Sequence, residues 1–80
     1  MRIRLRYFAS LRDLIGCPEE EIAMVDGSTV KGLLEKVKNL HGQIQDLDRI
    51  LVAVNGDYTD PISRLFDGDV VALFLPVSGG

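Results

Sequence analysis

The sequence is poor in the residues that build redox, metal and catalytic centres. Its 80 residues include one cysteine, one histidine and no tryptophan. A lone cysteine, Cys17, excludes an internal disulfide or a site with several cysteine ligands, and it favours a reducing compartment. His41 has no second histidine or paired cysteine nearby, and its place near a helix C-terminus explains it without chemistry. We therefore expect no metal site and a cytoplasmic location.

Long apolar runs near the N-terminus and an excess of positive charge are also missing. Residues 1–6 alternate between apolar and basic side chains, whereas a signal peptide has a continuous apolar region. The net charge of −3 argues against nucleic acid and favours a partner with some positive surface. With 46% apolar and 26% charged residues, we expect one globular domain over residues 1–80 that neither enters a membrane nor binds nucleic acid.

The most informative stretch is the C-terminus, DGDVVALFLPVSGG. A turn signal at Asp67–Asp69 precedes an apolar run, Val70–Leu75, which Pro76 ends. The pattern predicts a buried strand that leads into an exposed, flexible tail over residues 76–80. Because the last two residues are glycines without a Cβ atom, the terminal carboxylate can pass through a channel too narrow for side chains. A frayed end that happens to contain glycine fits the Gly-Gly pair equally well.

The rest of the chain alternates between strand-like and helix-like patterns. The predicted elements are a strand Arg2–Phe8, a short helix Ala9–Ile15, a strand Glu19–Val25, a main helix with an apolar stripe at Val30, Leu33, Leu34, Val37 and Leu40, a strand Ile50–Val54 and an edge strand Asp57–Thr59. The expected caps and turn are Ser10 and Gly16 for the short helix, Ser28 or Thr29 and Gly42 for the main helix, and Asn55-Gly56 for a hairpin.

This order of elements predicts an α+β fold, a β-grasp or ubiquitin-like mixed sheet with one main helix packed on one face. The first and last strands would lie side by side in the middle. Alternation then turns Val71, Leu73 and Leu75 inward and leaves Phe8, Phe74 and Tyr58 on the open face, where exposed aromatic rings mark a partner-binding surface. For Phe8 the sequence equally allows a ring that folds back into the core.

Three stretches carry a resemblance to a known family. Tyr7–Gly16 (YFASLRDLIG), Val54–Gly56 (VNG) and Asp67–Gly80 together resemble the small subunit of molybdopterin synthase, the MoaD family of sulfur carriers. Carriers of the ThiS kind share the Val-Asn-Gly turn and the Gly-Gly end, but they are usually shorter and lack the first helix and the Pro-Val-Ser-Gly-Gly ending. Leu75 stands where the family usually has a proline, and Val70 stands where it often has glutamate.

The resemblance implies a function for the tail. A MoeB-like, E1-type activating enzyme would use ATP to adenylate the Gly80 carboxylate, and persulfide sulfur would convert it to a thiocarboxylate. The tail, with Pro76, Val77, Ser78 and Gly79 threaded, would enter a MoaE-like large subunit of a heterotetramer. There the sulfur would convert the cyclic pyranopterin precursor to molybdopterin, in the biosynthesis of the molybdenum cofactor. The carrier itself would hold no permanent cofactor and would supply no catalytic side chain.

The resemblance leaves open whether such a chain counts as an enzyme, since it is the sulfur-donating subunit of a transferase complex. Other functions also remain. The chain is alternatively a ThiS-like carrier for thiazole synthesis, a carrier for tRNA thiolation, or a ubiquitin-like modifier joined to lysines through Gly80. A β-grasp interaction module with an inert tail is a further alternative.

Overall fold

The computed structural model describes residues 1–44 and 49–76. The elements are β1 (Arg2–Tyr7), α1 (Ala9–Ile15), β2 (Glu19–Ala23), α2 (Val30–Leu40), β3 (Leu51–Val54), β4 (Asp57–Tyr58) and β5 (Val70–Phe74). They form a five-stranded sheet in the order β2-β1-β5-β3-β4, in which only β1 and β5 run parallel. The predicted α+β, β-grasp architecture and the central pairing of the first and last strands are confirmed.

The alternation along β1 separates a buried face from a wet face. Ile3, Leu5 and Tyr7 are almost fully buried, while the three arginines between them are exposed. β5 repeats the pattern, because Val71 and Leu73 are fully buried and Val70, Ala72 and Phe74 face the other way and are only partly covered. Leu75 continues the inward row and packs partly against the core. The predicted facing of the last strand is therefore confirmed.

The helix α2 covers the buried face of the sheet. The Thr29 hydroxyl oxygen accepts a hydrogen bond from the Gly32 N–H and caps the helix, as predicted. Four of the five residues of the predicted stripe are buried, namely Val30, Leu33, Leu34 and Val37. Leu40 is 55% exposed, so its inward placement was wrong. It lies in the last turn, where the 3.6-residue repeat has rotated it away from the centre of the stripe.

One of the predicted helix caps was wrong. Ser10 does not cap α1; the N-cap is Phe8, and Ala9, whose positive φ of 50° turns the chain sharply after β1, already belongs to the helix. His41-Gly42 ends α2 as predicted, with His41 as the C-cap, whose N–H bonds the Val37 carbonyl, and Gly42 directly after it, although Gly42 does not have a positive φ. Gly16 does close α1 as predicted, with a φ of 94° and its N–H donating to Arg12.

The hairpin at Asn55-Gly56 is confirmed and also fixes the start of β5. Both residues have positive φ, 51° and 91°, the conformation of the tight turn that Asn-Gly favours. The Asn55 side-chain oxygen accepts a hydrogen bond from the Val70 N–H at 2.9 Å, and its amide nitrogen donates to Asp69 at 3.0 Å. This side chain therefore joins the β3–β4 turn to the turn before the last strand.

Candidate functional site

An aromatic cluster of Phe8, Phe74 and Tyr58 occupies the open face of the sheet. The rings of Phe8 and Phe74 stack with centroids 4.8 Å apart and an angle of 15° between their planes. Tyr58 lies 6.5 Å from Phe74, and its side chain is largely exposed. Phe8 therefore does not fold back into the core, and the structure brings together all three rings that the sequence placed on this face.

The sheet register positions the cluster. The Phe8 N–H bonds the Leu73 carbonyl, which extends the β1–β5 pairing by one residue and keeps the Phe8 ring on the outward side. Directly afterwards the left-handed Ala9 turns the chain into α1. On the other flank Leu51 of β3 lies opposite Phe74, and Tyr58 of β4 lies opposite Ala53. Four adjacent strands thus contribute backbone that holds three rings in a row.

A row of arginines on β1 borders the cluster. The Arg6 guanidinium lies 5.5 Å from the centroid of the Phe8 ring, within the range of a cation–π interaction. Arg6 also approaches Glu19 of β2 at 4.0 Å, and Arg2 pairs with Glu21 at 3.1 Å. These ion pairs are solvent-exposed, so each contributes at most about 1 kcal/mol to stability. Their main effect is on the charge that the open face presents.

The C-terminal tail leaves the sheet beside this cluster. β5 ends at Phe74, Leu75 packs partly against the core, and Pro76 is exposed. Val77, Ser78, Gly79 and Gly80, which the sequence assigned to the reacting tail, lie outside the described residues. The described part fixes where the tail starts, because Phe74 on the aromatic cluster is only two residues from Pro76. Any partner that covers the cluster therefore lies next to the base of the tail.

The structure contains a polar cluster that the sequence analysis did not predict. It is formed by Tyr7, Cys17, Glu20 and His41. His41 Nε2 lies 2.9 Å from one carboxylate oxygen of Glu20, and the Cys17 thiol donates to the other oxygen at 3.6 Å. Burial, followed by the Glu20 carboxylate, raises the pKa of the Cys17 thiol. A thiol held in its protonated form is a poor nucleophile. No sequence signal joins residues this far apart in the chain.

The hydroxyl of Tyr7 is buried in the same cluster. Its oxygen has no hydrogen-bond partner among residues 1–44 and 49–76, and its ring meets the His41 ring edge-on with centroids 6.0 Å apart. Burial is the main cause that raises the pKa of Tyr7 far above its ordinary value, and the charge of Glu20 adds to it. The cluster ties β2 to the C-terminus of α2 and contains no activated nucleophile.

The described part of the chain was compared with the requirements of a metal site and of a membrane-spanning helix, and it meets neither. Within it, no group of three or more His, Cys, Asp or Glu side chains is arranged to hold a metal ion. None of the helices in residues 1–44 and 49–76 has the length and apolar character needed to cross a membrane.

Comparison with known proteins identifies the family. The model of the ThiS family matches residues 5–80. The molybdopterin synthase sulfur carrier subunit of Chlamydomonas reinhardtii is 34% identical over 100% of both chains. The matching family model is named after the ThiS carriers, which the sequence analysis kept as an alternative. The Chlamydomonas reinhardtii relative is named as a molybdopterin synthase sulfur carrier subunit, the family that the sequence motifs resemble.

Solved structures give the same picture. A protein named as molybdopterin converting factor, subunit 1, from Pyrococcus furiosus superimposes with a TM-score of 0.85 at 35% identity, covering 96% of this chain and 99% of that one. SAMP1 from Haloferax volcanii has a TM-score of 0.86 at 27% identity over 100% of both chains. A chain in the complex of subunits 1 and 2 of molybdopterin-converting factor from Helicobacter pylori has a TM-score of 0.70 at 26% identity, again over 100% of both. The present chain therefore belongs to the ThiS family, and over its whole length it is similar to molybdopterin synthase sulfur carrier subunits.

Proposed function

We propose that the chain is the sulfur carrier and small subunit of molybdopterin synthase, and that it delivers sulfur as a thiocarboxylate on Gly80. The observation that carries this proposal is the placement of the tail. The last strand, β5, runs through the middle of the sheet and ends at Phe74 of the aromatic cluster, two residues before Pro76 at the base of the tail. Docking that cluster on a partner fixes the base of the tail and reduces the entropy lost when the tail enters an active site.

The chemistry of the tail needs help from other proteins because a carboxylate is a poor acyl donor. A MoeB-like, E1-type enzyme would use ATP to convert the Gly80 carboxylate to an acyl-adenylate and release pyrophosphate. A persulfide sulfur then attacks the carbonyl carbon and displaces AMP. A second thiol then attacks the resulting sulfur–sulfur bond, which releases the thiocarboxylate on Gly80 and leaves a disulfide between that thiol and the sulfur donor. ATP is thus a substrate of the activating enzyme, and no cofactor resides on the carrier.

The carrier's own residues bind and position rather than catalyse. Gly79 and Gly80, without Cβ atoms, fit a narrow channel that larger residues would block. Pro76, Val77 and Ser78 connect that channel to the sheet. Cys17 is unsuited to relay sulfur, because its raised pKa keeps the thiol protonated. General acid and base groups belong to the partner.

The proposed partner at the second step is a MoaE-like large subunit, with two copies of each chain in a heterotetramer in the cytoplasm. In it the Gly80 thiocarboxylate would sulfurate the cyclic pyranopterin precursor and build molybdopterin. Support for such a partner comes from the similarity to the Helicobacter pylori chain solved as a complex of subunits 1 and 2. The aromatic cluster of Phe8, Phe74 and Tyr58 is the surface we assign to this contact.

Two other functions rest on specific similarities. The likeness to SAMP1 from Haloferax volcanii favours a ubiquitin-like modifier, which would be joined to lysines through Gly80. The match to the ThiS family model favours a sulfur carrier for another pathway, such as thiazole synthesis. Both share the activated tail with the first proposal and differ from it in the acceptor of the Gly80 acyl group or sulfur.

A reconstitution experiment distinguishes these functions. The chain is incubated with the activating enzyme, ATP and a persulfide donor, and is then mixed with the large subunit and the pyranopterin precursor. We expect molybdopterin to form, and a chain lacking Gly79 and Gly80 is the matched control that should form none. A loaded carrier that gives no molybdopterin with an active large subunit contradicts the proposal. A covalent bond from Gly80 to lysine in the same mixture favours the modifier instead.

A further inference from the structure

The open face of the sheet carries a surplus of positive charge that the whole chain does not. Three arginines of β1, Arg2, Arg4 and Arg6, point to this face, and two glutamates of β2, Glu19 and Glu21, lie across from them. The chain as a whole has a net charge of −3. These five side chains carry one more positive than negative charge, opposite in sign to the whole chain, and Arg4 supplies the excess.

Of these three arginines, Arg4 is the one that makes no salt bridge to a carboxylate in the described part of the chain. Its register partner on β2 is Glu21, but that carboxylate lies 3.1 Å from Arg2. Glu19 is the acid nearest Arg6. Within residues 1–44 and 49–76 no salt bridge involves Arg4.

The strand on the other side of Arg4 offers no acid either. Arg4 lies opposite Val70 of β5, and Ala72 is the next outward residue of that strand. The nearby Asp69 carboxylate already accepts hydrogen bonds from the Asn55 amide and the Phe66 N–H. Arg4 is thus exposed, beside Val70 and Ala72 of β5, and residues 1–44 and 49–76 supply no salt-bridge partner for its charge.

This position matters if the open face is an interface. Arg4 is the second outward residue before Phe8 on β1, about 13 Å along the strand. A partner that covers the cluster with a standard interface of about 800 Å² per side is wide enough to cover Arg4 and remove water from it as well. A charge that loses water without gaining a partner weakens association, whereas a complementary charge speeds encounter and fixes the register of docking.

We infer that the large subunit presents a carboxylate opposite Arg4 on the surface that covers the aromatic cluster. The inference rests on the proposed function and specifies the partner's chemistry: an apolar patch bordered by Asp or Glu. It differs from the expectation drawn from net charge, because the partner surface at this contact would be acidic although the chain as a whole has a net charge of −3. Arg4 acts as a specificity-determining residue, and the aromatic rings supply the contact area.

Charge reversal at two exposed positions on opposite sides of the molecule tests the inference. Arg4→Glu and Lys38→Glu change the net charge equally, but Lys38 lies on α2, away from the open face, so the second variant is a matched control for long-range electrostatics. In titration calorimetry of the full chain against the large subunit, we expect Arg4→Glu to weaken binding by at least about 10-fold and Lys38→Glu by less than about 3-fold. Arg4→Gln should lie between them and should flatten the salt dependence of the affinity. Thermal melts should show all three variants folded.

The outcomes separate this inference from the proposed function. Equal effects of Arg4→Glu and Lys38→Glu, whether both small or both large, would overturn the specific role of Arg4. If molybdopterin still forms in the reconstituted mixture, the sulfur-carrier function stands while the inference fails. Loss of molybdopterin formation by the parent chain instead removes the proposed function, whatever the affinities are. A carboxylate on the large subunit whose reversal to Lys restores binding of Arg4→Glu would support the inference directly.

Discussion

The two faces of the sheet are built from the same strands, but one forms the core and the other carries the aromatic cluster. On β5, Leu73 is fully buried in the core, while the next residue, Phe74, stacks on Phe8 on the open side. A shift of one residue exchanges the two roles, because side chains alternate along a strand. The core and the proposed recognition surface are therefore separated by the two-residue repeat of the strand and not by distance along the chain.

The largest expected effect is the loss of sulfur loading when the C-terminal tail is altered. Removing Gly80, or adding residues after it, should abolish sulfur loading completely, because the reacting carboxylate is lost or displaced. The melting temperature should stay close to that of the parent, since Pro76 is already exposed and the tail follows it. Loading is followed by mass spectrometry and folding by a thermal melt. A truncated chain that still accepts sulfur would contradict the prediction.

A second comparison sets the tail against the polar cluster. Gly79→Ala adds a methyl group that should clash in a narrow channel and lower the rate of loading strongly. Cys17→Ser should leave that rate unchanged, because the raised pKa of the Cys17 thiol makes it a poor nucleophile. Single-turnover loading assays with the activating enzyme measure both variants. Full loss of loading in Cys17→Ser would place a sulfur relay on the carrier and would contradict the account.

Neighbouring residues of β5 provide the sharpest comparison of the two faces. Leu73→Ala should lower the free energy of unfolding by about 2–5 kcal/mol, because it leaves a cavity in the core. Phe74→Ala should change it by no more than about 1 kcal/mol, since its ring is only partly covered. Urea unfolding measures both. Equal destabilisation by the two variants would mean that Phe74 belongs to the core.

The same Phe74→Ala variant should weaken binding to the large subunit by more than about 1 kcal/mol, the size of a hot-spot loss. The reason is that Phe74 lies in the middle of the aromatic cluster, in contact range of both Phe8 and Tyr58. Titration calorimetry gives the affinity. Lys36→Ala, on the exposed side of α2, is a suitable control that should leave the affinity unchanged. An unchanged affinity for Phe74→Ala would remove the cluster from the interface.

The smallest effect is expected at Tyr7. Its buried hydroxyl has no hydrogen-bond partner among residues 1–44 and 49–76, so Tyr7→Phe should change the free energy of unfolding at neutral pH by less than about 1 kcal/mol. The raised pKa of Tyr7 predicts a difference in alkali. Above the ordinary tyrosine pKa of 10.0, the unfolded chain ionises while the folded chain stays protonated, so the parent loses stability as the pH rises.

Tyr7→Phe should lack this part of the alkaline loss. Urea unfolding of both proteins at neutral pH and above the ordinary tyrosine pKa makes the comparison. Parallel pH profiles for the two proteins would mean that the Tyr7 hydroxyl titrates as freely in the folded chain as in the unfolded one.

Much of the fold could be predicted because the strands have a repeat of two and each buries one face. That repeat alone placed Ile3, Leu5 and Tyr7 inside and Phe74 outside, and the Asn55-Gly56 pair identified the hairpin. The same logic brought the three aromatic rings to one face. These predictions were accurate because each depends on local backbone geometry, which the sequence encodes directly.

The remaining features depend on contacts between distant residues or on unusual backbone angles. Nothing in the residues around Ala9 indicates a positive φ, and the N-cap of α1 is Phe8 and not Ser10, although the predicted bounds of the helix, Ala9–Ile15, are correct. The contact between Glu20 and His41 joins β2 to the end of α2, so it exists only once the sheet and helix have packed. The surplus charge of Arg4 likewise required the strand register, since it depends on which glutamate each arginine reaches.

The mass of the carrier after incubation with activating enzyme, ATP and a persulfide donor tests the central claim most directly. We predict the replacement of one oxygen by sulfur, located at Gly80 by fragmentation of the C-terminal peptide, and its absence when ATP is left out. Two results would contradict the account. In one, the carrier keeps its original mass although the same activating enzyme consumes ATP when another carrier is supplied. In the other, the carrier gains sulfur at Cys17 and not at Gly80.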